Sequence, residues 1–372
     1  MAISTDVVII GGGVMGCSLA YYLAKLGIKS TVLERSKLAS GASGATAGVI
    51  APLWHVNRSS EAMFALGMRS LDRFPTLANE LIEAGIDPGF RQNGVLKIAF
   101  SPEEVDELKH NLAWQGELGI GVAWQSMEDV IGREPQVNPE VLGGVFSPKE
   151  GHIEGQRYVE ALAHAASRLG AQVLEGEEVT GLELQRHNVI GVRTNIRVYH
   201  SRHTVLAAGP WSGIAKKWLP EKLPVRPVKG QRILLRKPGF LPRSAVRTFQ
   251  AYTVPWADGT ILVAATREEG VFDEAPTAEG IKHLLSEAVA SFPALGDAVF
   301  MGARAGVRPA TPDDAPIMGP VPRWEGLSVI TGHDAVGIML SPGSGELMAN
   351  YIDTGNARPL EPLSIGRFPT SG

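Results

Sequence analysis

Gly11, Gly13 and Gly16 follow the apolar run Val7–Ile10, and Glu34 closes the next apolar run, Thr31–Leu33. This is a G-x-G-x-x-G turn between a strand and a helix. The first glycine permits the tight turn, the second lets backbone approach a pyrophosphate, and the third lets helix and strand pack closely. The helix N-terminus then aims free N–H groups and its positive dipole end at the anion. Glu34, about 20 residues past the glycines, is placed to accept hydrogen bonds from ribose hydroxyls. The pattern reads as a dinucleotide site. Far along the chain, Arg308 stands among Ala305, Gly306, Val307 and Pro309, a poor setting for a solvated guanidinium. There it either grips a carboxylate through two parallel hydrogen bonds or closes a structural ion pair.

The elements that must position these residues follow from periodicity. Residues 17–26 read as a helix ended by Gly27, and residues 61–84 as a second helical stretch. Residues 93–100 read as a strand. Residues 102–118 read as a charged helix opened by Ser101-Pro102-Glu103-Glu104, a capping signal. Residues 155–169 carry apolar positions at Val159, Leu162, Ala163, Ala166 and Leu169, which predicts a helix closed by Gly170. Strands are expected near 172–175 and 189–194. The run His203–Ala208 reads as a buried parallel strand returning to the nucleotide sheet. Residues 224–266 are strand-rich, 277–292 read as a helix, and the C-terminal part runs strand 327–331, glycine-rich turn 332–345, helix 345–353.

The expected architecture is therefore α/β: a Rossmann-like dinucleotide domain interleaved with a mainly antiparallel β domain. Residues 1–84, 150–219 and 306–372 are assigned to the first, and residues 85–149 and 220–305 to the second. A chain of 372 residues is long enough for two such cores. Net charge is −4 with no long basic run, which gives no support for nucleic-acid binding. A single cysteine, Cys17, excludes an intramolecular disulfide and a cysteine metal cluster, and no metal site is expected. No secretory pattern precedes the first strand, and no apolar run approaches the ~18–20 residues of a spanning helix. A cytoplasmic protein without a transmembrane segment is the expectation; a homo-oligomer stays open.

The glycine triplet serves NAD and FAD alike. The next segment, Ser40-Gly41-Ala42-Ser43-Gly44-Ala45-Thr46-Ala47-Gly48, is a run of small residues between apolar flanks. Such a run lets backbone pass close to something flat or anionic.

Taken together, several motifs resemble the D-amino-acid-oxidase superfamily of FAD enzymes, most closely its glycine oxidase and sarcosine oxidase branch. They are VVIIGGGVMG…VLER, SGASGATAG, NGVLKIAF, VLAAGPWSG, RPVKGQ, GVRPATPDDAPIMG and TGHDAVGIMLSPGSGELMANYI, in that order over nearly the whole chain. The resemblance implies extended FAD. Its adenosine end would lie by Gly11, Gly13, Val14, Met15, Gly16, Glu34, Arg35 and the Val179 backbone. Its flavin end would lie by Thr46, Ala47, Gly48, Gly332, Gly337, Ile338 and Met339, with Ser43, Gly209 and Trp211 as further cofactor-binding positions. It also implies oxidative deamination of glycine, sarcosine or a small D-amino acid by hydride transfer to flavin N5. Oxygen would then be reduced to hydrogen peroxide; a dehydrogenase passing electrons to a quinone or partner protein is the alternative. In sarcosine-oxidase-like relatives the flavin is attached to a late cysteine, which this chain lacks, so non-covalent FAD is expected.

On the same basis Arg308 is the expected carboxylate clamp, and Tyr252, on a strand, the hydroxyl that supports it. Arg267 either faces the site or is a strand-end charge beside Glu268 and Glu269. His333 either contacts flavin or substrate or caps its turn. Lys229 reads as structural, and Asp313 and Asp314 as turn residues. Two departures matter: Ala335 stands where glycine-oxidase-like chains often carry Arg, and Leu262 falls near the place of the lysine that assists oxygen. The substrate is thereby left open.

Overall fold

The computed structural model describes residues 3–55, 60–217 and 223–368. Two large sheets organise it. In the first, the strands run in the order Ile317–Pro320, Leu327–Thr331, Val198–Leu206, Ile3–Ile10, Ser30–Glu34, Gln172–Glu175. Ile3–Ile10 pairs in parallel with both Val198–Leu206 and Ser30–Glu34, and the outer pairings Ser30–Glu34 with Gln172–Glu175 and Val198–Leu206 with Leu327–Thr331 are parallel as well. Val7–Ile10 are buried because helices cover this sheet, which is why that strand is a continuous apolar run.

The helix Val14–Lys25 leaves the first strand through the glycine turn and is almost wholly buried among the helices Glu61–Ala84, Gly155–Arg168 and Gly337–Thr354. Two glycines make that close approach feasible. A Cβ on Gly16 would stand 2.0 Å from the Gly11 carbonyl oxygen, and one on Gly11, whose φ is +116°, 2.5 Å from that of Ala207.

The second sheet is nearly all antiparallel. From one edge it runs Glu268–Glu269, Arg226–Arg236, Thr260–Ala264, Tyr252–Pro255, Ala245–Arg247, Val95–Ala99, Gly143–Ser147, Ala123–Gln125. The long strand Val299–Ala310 pairs with Arg226–Arg236 along its length. One face packs on the helix Ala278–Ser291 through Ile233, Ile261, Val263 and Leu284; the other faces the first sheet's glycine turn and the small-residue loop.

Several elements match their expected spans. The helix at Pro102–Gly116 begins as expected, with the Ser101 hydroxyl accepting from the Glu104 N–H. Two of the elements that differ bear on the site. Val179–Gln185 is a strand paired with Asn188–Thr194, and its exposed polar positions hid it. The glycine-rich segment 332–345 is mostly helix rather than turn: helix begins at Gly337 and continues to Thr354. Its small residues are interhelical spacers. A Cβ on Gly343 would meet Ser70 Oγ at 2.7 Å, and one on Gly345 would meet Ser18 Oγ at 2.3 Å. Burial against neighbouring helices overrides the low helix propensity of glycine.

Candidate active site

A cavity of about 600 Å³ lies between the two sheets. At one end Glu34 accepts hydrogen bonds from the Gly12 and Ser36 N–H groups, each at 2.8 Å, which fixes its carboxylate at the mouth of the glycine turn. Arg35 lies over the Trp211 ring, 4.1 Å from its centroid. Val179 and Gly209 complete this end. Glu177, absent from the sequence reading, also lines it; its carboxylate is held by the Tyr199 hydroxyl at 2.7 and 2.8 Å.

The middle is walled by Gly11, Gly13, Val14 and Met15 on one side and by the loop containing Ser43, Thr46, Ala47 and Gly48 on the other. Ser43 Oγ accepts from the Val14 N–H at 3.0 Å, and Thr46 Oγ1 from the Gly48 N–H at 3.1 Å. Gly48 has φ +72°, and a Cβ there would sit 1.9 Å from the Ile153 carbonyl oxygen, so only glycine fits.

Strand register explains how the second sheet covers this cavity. Arg247 is paired with Tyr252, Tyr252 with Ala264, Ala264 with Arg232, and Arg232 with Arg304. Directly paired residues share a face, and side chains along a strand alternate, so Gly306 and Arg308 lie on that face too. Four arginines of that sheet face, Arg232, Arg247, Arg304 and Arg308, lie by the cavity and its loop. Arg304 donates to the carbonyls of Ala39 and Ser40, at 3.1 and 2.8 Å, and Arg232 to that of Gly44 at 3.2 Å. These two hold the small-residue loop from outside. Gly306 lets the loop touch the sheet, since a Cβ there would stand 2.7 Å from that of Ala45.

Arg247 and Arg308 open into the cavity instead. Arg308 lies against Gly230, with Nη1 donating to the Thr266 carbonyl at 3.1 Å. Among the described residues no carboxylate lies within ion-pair distance of it. Burial lowers its pKa from the ordinary arginine value, yet a guanidinium stays charged in any working pH range. Tyr252 is buried; its hydroxyl accepts from Arg247 Nη1 at 2.9 Å and bonds His55 Nε2 at 2.7 Å. Burial, then the charges of Arg247, Arg308 and Lys97, drive the His55 pKa well below 6.5, so the imidazole is neutral. Sequence reasoning missed both Arg247 and His55, since neither stands in a motif.

Arg267 lines the cavity with both ends of its guanidinium engaged, by Glu269 and by Asp334, each at 2.8 Å. It ties the second sheet to the turn before the last helix. His333 is buried beside the cavity with Nε2 on the Ser344 hydroxyl at 3.1 Å, and burial lowers its pKa to about 3. The helix starting at Gly337 has no side-chain cap, and Gly337 and Ile338 in its first turn line the cavity. Three expected residues lie behind the wall. Gly16 packs on Gly11, Gly332 on Thr311, and Met339 sits in the core. Lys229 is buried on Asp273 at 3.0 Å, and Asp313 is bonded to Arg367, both away from the cavity.

These features fit FAD. The helix starting at Gly337 begins without a side-chain cap at one end of the cavity, small residues leave a close-walled slot in its middle, and the Asp334 Oδ1 atom has no partner among the described residues. Residues 6–351 match the family of FAD dependent oxidoreductases known as DAO, and the chain belongs to that family. It is a flavoenzyme with a Rossmann-like FAD-binding fold.

Within the family, glycine oxidase of Geobacillus kaustophilus is 33% identical over 97% of both chains. Glycine oxidase of Pseudomonas putida is 32% identical over 96% of this chain and 97% of its own. The crystal structure of glycine oxidase from Geobacillus kaustophilus superposes with a TM-score of 0.93, at 31% identity, over 99% of this chain and 100% of that one. The chain is therefore a glycine-oxidase-like FAD oxidoreductase. Among the described residues no helix is long and apolar enough to cross a membrane.

Proposed function

We propose that this enzyme oxidises a small amino acid or carboxylate-bearing secondary amine, with glycine, sarcosine and small D-amino acids as candidates. The observation that carries this reading is Arg308. It is a charged guanidinium with one carbonyl contact and no carboxylate partner among the described residues, on the wall of a cavity whose other walls fit a flavin. Two of its free N–H groups match the oxygens of a carboxylate. Tyr252 then adds a hydroxyl. Because His55 is neutral, its Nε2 can carry the hydrogen toward the Tyr252 oxygen, which frees the phenol proton for the incoming carboxylate. Anchoring the acid group orients the adjacent C–H bond.

FAD, when bound, supplies the hydride acceptor. The neutral amine loses a hydride from carbon and a proton from nitrogen to give an imine, and water converts the imine to the oxo acid and ammonia or a primary amine. With FAD bound, the positive dipole end of the helix at Gly337 would favour negative charge on the flavin. Oxygen is the proposed acceptor, with one oxygen molecule reduced to hydrogen peroxide per amine oxidised. The proposed wall for FAD is the set lining the cavity, from Glu34 and Val179 through Gly11–Met15 and Ser43–Gly48 to Gly337 and Ile338, with Arg267 positioning the turn at His333.

The test is anaerobic titration of the yellow holoenzyme with glycine, sarcosine and D-alanine. Bleaching of the flavin by at least one supports the reading, and a spectrum unchanged by all of them and by other small amines removes it. Peroxide formed on admitting air marks an oxidase; slow reoxidation marks the dehydrogenase alternative.

A further inference from the structure

We propose that Arg247 and Arg308 together hold two carboxylates, so that the preferred substrate is a small amine flanked by an acid group at each end. This rests on the amine-oxidation reading above and narrows it.

A substrate with one carboxylate needs one guanidinium, and the part of the cavity around Tyr252 presents two with no ion-pair partner among the described residues, while Arg35 lies over Trp211 at the Glu34 end. Arg247 donates only through Nη1, to the Tyr252 hydroxyl at 2.9 Å and weakly to the Trp54 carbonyl at 3.4 Å. Arg308 donates only through Nη1, to Thr266. In each, Nε and Nη2 make no hydrogen bond among the described residues, and these are the two positions from which a guanidinium meets a carboxylate edge-on. The other cations nearby are engaged. Arg267 is paired with Glu269 and Asp334, and Arg232 and Arg304 are committed to loop carbonyls. Lys97 lies over the Phe249 and Trp54 rings with Glu107 at 3.7 Å.

Among the described residues no carboxylate lies within ion-pair distance of Arg247. The acid whose charge bears on it, Glu150, is buried, and burial raises its carboxyl to about 8, so it is mostly neutral near pH 7. Two uncompensated cations facing one partly desolvated space are unfavourable unless a ligand supplies the anions.

The strands carrying the two arginines are four positions apart in the sheet, about 19 Å of backbone at ordinary strand spacing. Both side chains line the same cavity from that one sheet face, so a ligand lying along the face can reach both. A ligand between them meets a cation at each end, with Tyr252 on the Arg247 side. Ala335, small and also lining the cavity, leaves room for the longer molecule.

The test uses the holoenzyme and two unreactive ethers, followed by perturbation of the flavin absorbance. Oxydiacetate carries two carboxylates; methoxyacetate is the same molecule with one replaced by hydrogen. The expected result is a Kd at least ~30-fold lower for oxydiacetate. In Arg247→Gln that ratio falls below ~3, while Arg247→Lys keeps an intermediate preference. Equal affinities in the wild type, or a ratio unchanged in Arg247→Gln, overturn the proposal. Binding does not require turnover, so the two readings fail separately. Preference for oxydiacetate with no bleaching by any amine would remove the amine reading and leave the two-carboxylate site standing.

Discussion

Tyr252 Oη lies 2.7 Å from His55 Nε2, although the tyrosine sits on a sheet strand and the histidine ends the short helix Pro52–His55 beyond the small-residue loop. The contact gives the phenol a neutral partner that can either accept or donate, while Arg247 on its other side can only donate. Its role therefore differs from that of an isolated strand tyrosine. Tyr252→Phe is expected to raise KM for the carboxylate substrate by ~10-fold or more with a smaller change in kcat, the loss of one hydrogen bond to a charged group. Steady-state kinetics check this. A fall in kcat with KM unchanged would instead place the hydroxyl in the chemical step.

Arg308→Ala should lower kcat/KM by ~100-fold or more, about 3 kcal/mol for a charge-assisted paired contact, chiefly through KM. Flavin content should stay near one per chain, because the side chain bonds Thr266 and not the wall proposed for the nucleotide. Loss of flavin with substrate affinity intact would contradict the assignment.

Non-covalent FAD follows from the cysteine inventory and from where Cys17 lies. It is buried in the first helix, and burial raises its thiol pKa to about 12, which leaves almost no thiolate to react. Acid precipitation should release all the yellow colour to the supernatant, and Cys17→Ala should bind flavin as the wild type does. Flavin retained in the pellet would overturn this.

Gly16→Ala is expected to cost at least ~2 kcal/mol in stability and to weaken flavin retention, since its Cβ would stand 2.0 Å from the Gly11 carbonyl oxygen. The melting temperature and the flavin-to-protein absorbance ratio report the two effects. Gly27→Ala is a useful contrast: its φ of +77° makes it strained, but nothing lies within 4 Å of its Cβ. It should lower stability without releasing flavin.

Glu150 makes stability depend on pH with a definite sign. Its folded pKa, about 8, is raised above the unfolded value of 4.5 by burial, against the Leu53 N–H, the Ser147 and Trp54 side chains and the Arg247 charge. The folded state therefore holds a proton that the unfolded state releases above pH 4.5. The group's contribution is fully present below 4.5 and is lost as pH rises through about 8. Glu150→Gln removes that dependence. The melting temperature of the variant relative to wild type should rise from pH 5 to pH 8 and level off above, as differential scanning calorimetry would show; a flat difference would mean the carboxyl is ionised in the folded chain.

Much of the nucleotide half was legible in the chain because its signals are local. Gly11, Gly13, Gly16 and Glu34 lie within one βαβ unit, where spacing along the sequence nearly equals spacing in the fold. The helices Glu61–Ala84 and Gly155–Arg168 announced themselves by apolar period. The helix beginning at Gly337 did not, because its glycines and serines read as a turn until the neighbours that need them small are in place. Arg308 could be singled out by its surroundings of small residues. Arg247 and His55 could not: each becomes part of a site only through pairing across strands or by a loop crossing between sheets.

Residue order alone thus determined the dinucleotide turn, the alternation of elements and the absence of a cysteine to bind the flavin. The tertiary structure decided which arginines face the cavity and which grip its loop. Arg247, Arg232, Arg304 and Arg308 lie on one face only because the strands that carry them pair in this register. A slip of one residue in any of those pairings would turn the side chains to the opposite face.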